Sequence, residues 1–467
     1  MRRIIALLFF VGGLQAQQPW TLSDCINYAR NHNISLKQTA ITNEINKNNL
    51  DQSKAQTLPT LNLGAAHTYN FGKTIDRFTN TFANTQVLSQ NFFVSSNLVL
   101  WSGLSQYNTI KANEYNYMSG NEQLKQMEND ISLNVASAYV SVIFAEELLS
   151  ISEKQMAVTK EQLERTLRLV EAGSVAKSVE FDIRAQLANE LLNVTTAENN
   201  YAIAMLNLRQ LMNFDSIANF NIEKPQMESM IAAFGNLNVN SVYDKALQNQ
   251  PSIRGSEFAI LSAERMLAAA RGRRSPTLSF NASMGTGTSG LAKDILGYSI
   301  SGYQPSGITG RGDTVYTPIT QIQTRQTPFA EQFKSNVNKS LALTLTIPLF
   351  NGLQTHTSVK NAQLNAYSAH LNLDLARQNL YKNIAQAFAN AKAAFNKYEA
   401  SKMSVDAAAE SFRYAQQKFD AGAISSFDYS NAKNRLFAAE SNLLQAKYDY
   451  IFKLKVLDYY QGIPLSF

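Results

Sequence analysis

Two proline-free runs, residues 105–172 and 353–421, constrain this chain more than any other feature. As helices, each would be about 100 Å long at 1.5 Å per residue. Their apolar and small residues step by four and three. The first run has Ile131, Val135, Ala138, Val142, Ala145, Leu149, Ser152 and Met156; the second has Leu380, Ile384, Ala387, Ala391, Ala394, Tyr398, Ser401 and Val405. Each residue of the second set stands 249 positions after its counterpart. A mean spacing of 3.5 is the coiled-coil period. Gly173 and Gly422 end the two runs, where the chain needs left-handed backbone. Return stripes follow at Leu187, Val194, Ala197 and Tyr201, then at Leu436, Leu443, Ala446 and Tyr450. Two long helical hairpins are therefore expected, with tips near 173 and 422.

The repetition extends beyond the helices. Leu58-Pro59-Thr60-Leu61 parallels Ser275-Pro276-Thr277-Leu278, 217 residues on, whereas Trp101-Ser102-Gly103-Leu104 parallels Phe350-Asn351-Gly352-Leu353, 249 residues on. The second copy thus carries 32 extra residues between Pro276 and Gly352. Two structural repeats are expected, 17–213 and 239–467, joined by 214–238 and preceded by a 1–16 export signal. Residues 21–57 and 239–272 read as the opening helix of each copy.

Between opening helix and long run, the period changes to two. Leu278, Phe280, Ala282 and Met284 alternate with Thr277, Ser279, Asn281 and Ser283; Leu341, Leu343, Leu345 and Ile347 alternate with Ser340, Ala342, Thr344 and Thr346. The first copy repeats this at Phe92, Val94, Leu98 and Leu100, and more weakly at Leu61, Leu63 and Ala65. Such strands have one apolar and one polar face, and segments of about ten residues fit a membrane β-barrel. Hairpins are expected at about 59–102 and 276–350, the second with a long Gly-, Ser-, Thr- and Gln-rich external loop. Two hairpins give four strands. Four strands cannot close a barrel, and an open edge in lipid leaves backbone groups unpaired, so several chains must share one. A soluble sheet with one buried face is the competing reading of the same alternation.

Composition narrows the rest. One cysteine, Cys25, excludes a disulfide framework and a zinc cluster. Four histidines, His32, His67, His356 and His370, form no metal-spaced pair. Arg2-Arg3, the apolar run Ile4–Val11 and Leu14-Gln15-Ala16 have the order of an export signal, cleaved before Gln17. No later stretch reaches 18 consecutive apolar residues, so no membrane helix is expected. A net charge of +6, without a basic stripe, argues against nucleic acid. Gly285-Thr286-Gly287-Thr288-Ser289-Gly290 matches a dinucleotide fingerprint but lacks the helix that would have to follow. Arg311-Gly312-Asp313 reads as turn chemistry. No residues are placed to divide acid and base roles, so neither an enzyme nor any cofactor or metal is expected.

An export signal, then tandem copies of helix, β-hairpin, long helix and return helix, resembles the TolC-type outer-membrane efflux proteins from Thr21 to about Leu465. The local matches are Leu58-Pro59, Pro348-Leu349-Phe350-Asn351-Gly352, and Gly422 followed by Phe427-Asp428, Ala432, Leu436, Ala439 and Leu443. The resemblance implies a mainly α protein with a membrane β-barrel part. In it, a homotrimer pools four strands per chain into a twelve-stranded barrel, continued by a twelve-helix periplasmic tunnel. Residues 214–238 would join an equatorial belt. The function implied is the passive exit duct of a tripartite efflux or type I secretion system, set in outer-membrane lipid. A periplasmic adaptor would join it to an inner-membrane RND or ABC pump. The docking tips would be Gly173, Ser174, Val175, Gly422, Ala423 and Ile424. Asp428 falls on an acidic position of the family's periplasmic gate. Asn431 stands where a second acid is usual, and Val179 where the first copy would carry one. Asp428 is also placed to cap a helix start. The alternative reading of the whole chain is a periplasmic coiled-coil adaptor or scaffold without a barrel.

Overall fold

The structure, a computed structural model, describes residues 19–83, 86–215, 220–225 and 238–463. The expected export signal lies outside these residues, as do 216–219 and 226–237 of the connection between the copies.

The first copy runs through α1 (Leu22–His32), α2 (Ile34–Ala55), β1 (Thr60–Asn70), β2 (Thr74–Ile75), β3 (Phe82–Ala83), β4 (Val87–Trp101), α3 (Ser105–Glu171) and α4 (Lys177–Met212). The second runs through α5 (Val239–Asn249), α6 (Pro251–Gly272), β5 (Thr277–Ser289), β6 (Lys293–Ile308), β7 (Thr314–Gln326), α7 (Phe329–Ser335), β8 (Asn338–Thr346), α8 (Gln354–Asp420) and α9 (Ser426–Tyr460). The long helices α3 and α8 have 67 residues each.

The opening helix of each copy, expected to be continuous, is broken. Asn33 is extended at φ −61°, ψ 127° and ends α1; its Oδ1 then accepts from the N–H groups of Ser35 (2.9 Å) and Leu36 (3.2 Å), capping α2. In the second copy Gln250 is extended and Pro251 opens α6. Proline suits the first helical position and pushes its predecessor out of helical conformation. A side-chain cap and a proline thus make the same break in the two copies. Thr21 starts α1 with a capping box: Asp24 N–H donates to Thr21 Oγ1 and Thr21 N–H to Asp24 Oδ2, each at 3.1 Å.

The chain divides into two units. One holds the chain up to Lys47, Tyr115–Leu261 and Tyr367 onwards; the other holds Asn48–Glu114 and Ser262–Ala366. The first unit is helical. Its main core gathers Cys25 and Ala29 of α1, Val135, Tyr139, Val142 and Ile143 of α3, and Leu208 and Met212 of α4. Burial pushes the Cys25 thiol up to about 12 and leaves it unreactive. α3 also holds an 18-residue window of mean hydropathy 1.4, apolar enough by composition to cross a membrane. Val135, Tyr139, Val142 and Ile143 of this helix lie in the core, and a core helix meets the same condition of length and composition. A second cluster joins Val242, Ala246, Ile253 and Ile260 to Leu373, Leu380 and Ile384. Trp20 meets Tyr28, Phe214 and Phe220 at 5.4–5.5 Å between ring centroids, and its backbone pairs in parallel with Ile222. The described part of the inter-repeat connection therefore packs against the start of α1.

The second unit is built on an antiparallel four-stranded sheet in the order β1-β4-β5-β8. The long loop of the second hairpin, to which the sequence analysis assigns no elements, carries a long antiparallel ribbon of β6 and β7 and the short helix α7. The small β2–β3 pair makes a second ribbon.

Candidate channel wall and hairpin tips

Register assigns each strand residue to a face. Leu63 opposes Val94, Val94 opposes Met284, and Ala282 opposes Leu341. Partners in a ladder share a face, so Leu61, Leu63, Phe92, Leu98, Phe280, Leu341, Leu343 and Leu345 form one apolar face. Lys339 and His67 lie on it only towards the end away from the long helices. The opposite face holds Thr60, Asn62, Asn91, Ser95, Asn97, Ser279, Asn281, Ser283, Ser340 and Thr344 and not one charged residue. Its amides are linked: Asn97 Nδ2 donates to Asn281 Oδ1 at 2.7 Å, and Asn281 Nδ2 to Thr344 Oγ1 at 3.3 Å. β1 and β8 are the sheet's edges, and every residue of β8 is exposed. A sheet with one hydrocarbon-like face, one hydrogen-bonding face and two open edges is a segment of a membrane barrel wall. Trp101 ends β4 half-exposed, as an interfacial aromatic would.

Where strands meet helices, two glycine backbones touch. A Cβ on Gly103 would stand 2.3 Å from Gly272 O, and one on Gly272 would stand 2.4 Å from Gly103 O. Gly103 also has φ +62°. The nucleotide-like Gly285–Gly290 stretch is the end of β5, followed by β6, and Arg311-Gly312-Asp313 forms the turn of the β6–β7 ribbon.

At the hairpin tips Gly173 and Gly422 have φ +72° and +71°. Ser174 N–H reaches Leu169 O and Ala423 N–H reaches Lys418 O, both at 2.8 Å, spanning five residues as in a Schellman turn. Ser174 and Ala423 are exposed, and Val175 and Ile424 half-buried, so the two tips are the same object 249 residues apart. Asp428 and Asn431 are both exposed, one helical turn apart on α9. Ser425 caps that helix and Asp428 braces the cap: the Asp428 N–H donates to Ser425 Oγ at 3.1 Å, and Ser425 Oγ donates to the Asp428 carboxylate at 2.7 Å. Val179, in the matching region of α4, is half-buried.

Above the tips lies a polar cluster that the sequence analysis did not identify. Lys433 Nζ, on α9, is 3.4 Å from Glu190 Oε1 on α4, with side chains only 4% and 3% exposed. It donates also to Gln155 O at 3.2 Å and to Thr159 Oγ1, both on α3. Burial pulls the lysine below its ordinary value, and Glu190 opposes that pull. Gln186 Nε2 bridges Glu190 Oε1 (2.8 Å) and Asn434 Oδ1 (3.0 Å). Ser426 joins Asp182 at 3.0 Å, and Arg165 joins Asp420 at 2.8 Å. A signal was present in the sequence. Glu190 sits between Leu187 and Val194 on the apolar stripe of one helix, and Lys433 stands three residues before Leu436 on the other. Opposite charges on two facing seams call for each other.

One membrane-wall sheet, to which each copy gives two strands, and two long helical hairpins define an outer-membrane duct of the export type. The family model for outer membrane efflux proteins matches residues 25–213 and 242–458, one match for each copy, and the chain belongs to that family. The chain is 24% identical to the outer membrane protein TolC of Escherichia coli over 464 residues, covering 97% of this chain and 84% of that protein. It is 20% identical to the cation efflux system protein CusC of Escherichia coli, over 78% of this chain and 71% of the relative. Its fold superposes on a crystal structure of CusC with a TM-score of 0.76 at 16% identity, covering 95% and 92% of the two chains. The outer membrane protein VceC of Vibrio cholerae gives 0.72 at 14% identity, covering 94% and 96%. This is a family of outer-membrane channels, not of enzymes. The chain is accordingly an outer-membrane efflux channel, and the periplasmic adaptor reading is set aside.

Proposed function

We propose that three copies pool their sheets into one twelve-stranded barrel, with their long helices forming a water-filled tunnel through the periplasm. The observation that supports this most is the four-stranded sheet with a charge-free polar face and open edges at β1 and β8. Two chains would satisfy the lower limit of about eight strands; the family resemblance favours three. The helices also leave apolar side chains uncovered, such as Tyr367, Leu371 and Leu375 along α8 and Leu191 and Leu206 on α4. Such stripes suit contacts with neighbouring copies. Residues 1–16 would be removed on export, and 214–238 would belong to a belt around the tunnel.

The duct does no chemistry on its cargo. Gly173, Ser174, Val175, Gly422, Ala423 and Ile424 would meet a periplasmic adaptor, through which an inner-membrane RND or ABC pump supplies the energy. Three copies of Asp428 would ring the periplasmic entrance and attract cations, with Asn431 adding a neutral amide layer one turn further along. Amine cross-linking in intact outer membranes tests the assembly. A ladder ending at three chains is expected; a ladder ending at two, or none, overturns the pooled barrel of three.

A further inference from the structure

The β6–β7 ribbon carries a five-residue repeat that the duct function does not require. Ile295-Leu296-Gly297-Tyr298-Ser299 is followed by Ile300-Ser301-Gly302-Tyr303-Gln304 and Pro305-Ser306-Gly307-Ile308-Thr309. Each five-residue unit contains one register shift, between Ile295 and Gly297, Ile300 and Gly302, and Pro305 and Gly307. Leu296, Ser301 and Ser306 thus have no partner on β7. The consequence is a matter of parity. Positions one and four of each unit are three residues apart, which in a regular strand would put them on opposite faces. The bulge absorbs one residue. Ile295 and Tyr298 therefore oppose Thr324 and Ile322, two apart on β7; Ile300 and Tyr303 oppose Thr320 and Pro318; Pro305 and Ile308 oppose Tyr316 and Thr314. Three bulges in phase gather the isoleucines and tyrosines on one face.

Beyond Lys293, which opposes Gln326 at the ribbon's base, that face has no charge, and its large residues are 52–75% exposed. The other face holds Gly297, Gly302, Gly307, Ser299 and Gln304, with Ile319 and Val315 as its apolar residues. The ribbon's other charges lie off the apolar face. Arg325 pairs with Asp294 at 3.1 Å and Glu331 at 3.4 Å at the base, and Arg311 and Asp313 sit at the turn. An isolated two-stranded ribbon is marginal in water, and an uncovered apolar one invites aggregation. Beyond Lys293 it needs an occupant, and an apolar one. Through α7 the ribbon leads directly into β8, the open edge that a neighbouring copy must cover. Twelve strands spaced at about 4.8 Å and tilted by about 40° close at a radius of about 12 Å. The 13 residues of β7 span about 40 Å, long enough to reach the barrel axis.

We propose that the ribbons of the three copies pack together by their Ile/Tyr faces above the outer mouth of the duct. This rests on the trimeric reading above. Tyr303→Cys and its chain neighbour Gln304→Cys test it in the full-length protein in outer membranes, where buried Cys25 does not compete. Under a mild oxidant, Tyr303→Cys is expected to give a two-chain disulfide band at least tenfold stronger than Gln304→Cys. Light scattering of the unoxidised protein separates the two ideas. A three-chain mass with no Tyr303→Cys link, or with equal links at both positions, overturns the ribbon contact alone. A one-chain mass overturns the trimer and the contact with it.

Discussion

Lys433 and Glu190 face each other at 3.4 Å with both side chains almost wholly out of water, and they tie α9 to α4. Removing one partner strands a buried charge, which costs about 3–5 kcal/mol. Glu190→Gln and Lys433→Met should each lower the unfolding midpoint of the helical signal, followed by circular dichroism. The double change Lys433→Met/Glu190→Leu should recover most of the loss, because apolar pairs of similar volume replace such bridges well. A double variant as unstable as the sum of the singles would show that the pair is not coupled.

The same lysine gives a pH signature. Its folded pKa is lowered by burial, so between that value and the ordinary 10.5 the unfolded chain binds more protons. Stability contributed here therefore rises with pH across that window and is lost as pH falls through the lowered value. The stability gap between the natural protein and Lys433→Met should shift in that direction. Tyr429, pushed up by burial and then by Asp420, acts oppositely above pH 10, so the comparison belongs below it. A flat or inverted difference would contradict the burial of Lys433 as a charge.

At the strand–helix junction, Gly272→Ala should be far more damaging than a surface change. Its Cβ would meet Gly103 O at 2.4 Å, and that neighbour is backbone. Gly422→Ala faces open space and bears only the cost of a left-handed φ, about 1–2 kcal/mol. Thermal scans of the two purified variants check the order. Equal losses would mean that the junction yields more easily than its geometry indicates.

Asp428 separates a gate from a cap. Asp428→Asn keeps a side chain able to accept from the Ser425 hydroxyl that caps α9, but removes the charge. Cation preference, read as a reversal potential under a salt gradient in planar bilayers, should fall while stability changes by less than about 1 kcal/mol. An unchanged reversal potential would leave Asp428 as a support of the Ser425 cap alone.

Much of this architecture is legible in the residues because it rests on periodicity. The 249-residue spacing fixes α3 against α8 and both tip glycines, and the alternation at Leu278–Met284 fixes a membrane face. Three features escape period-based reading, each for a physical reason. The breaks at Asn33 and Gln250 interrupt stripes that continue on either side. The β6–β7 ribbon hides its alternation because three bulges turn a period of two into a period of five. Glu190 and Lys433 belong to different copies at non-equivalent positions, so only the folded hairpins bring them together.

The shared barrel is tested most directly by light scattering on protein extracted with detergent from purified outer membranes. A protein mass near three chains, each 51.9 kDa before any processing, is the expected result. A one-chain mass, or recovery of the protein from the soluble fraction, would mean that β1 and β8 close within one chain or against water, and the pooled barrel would be wrong.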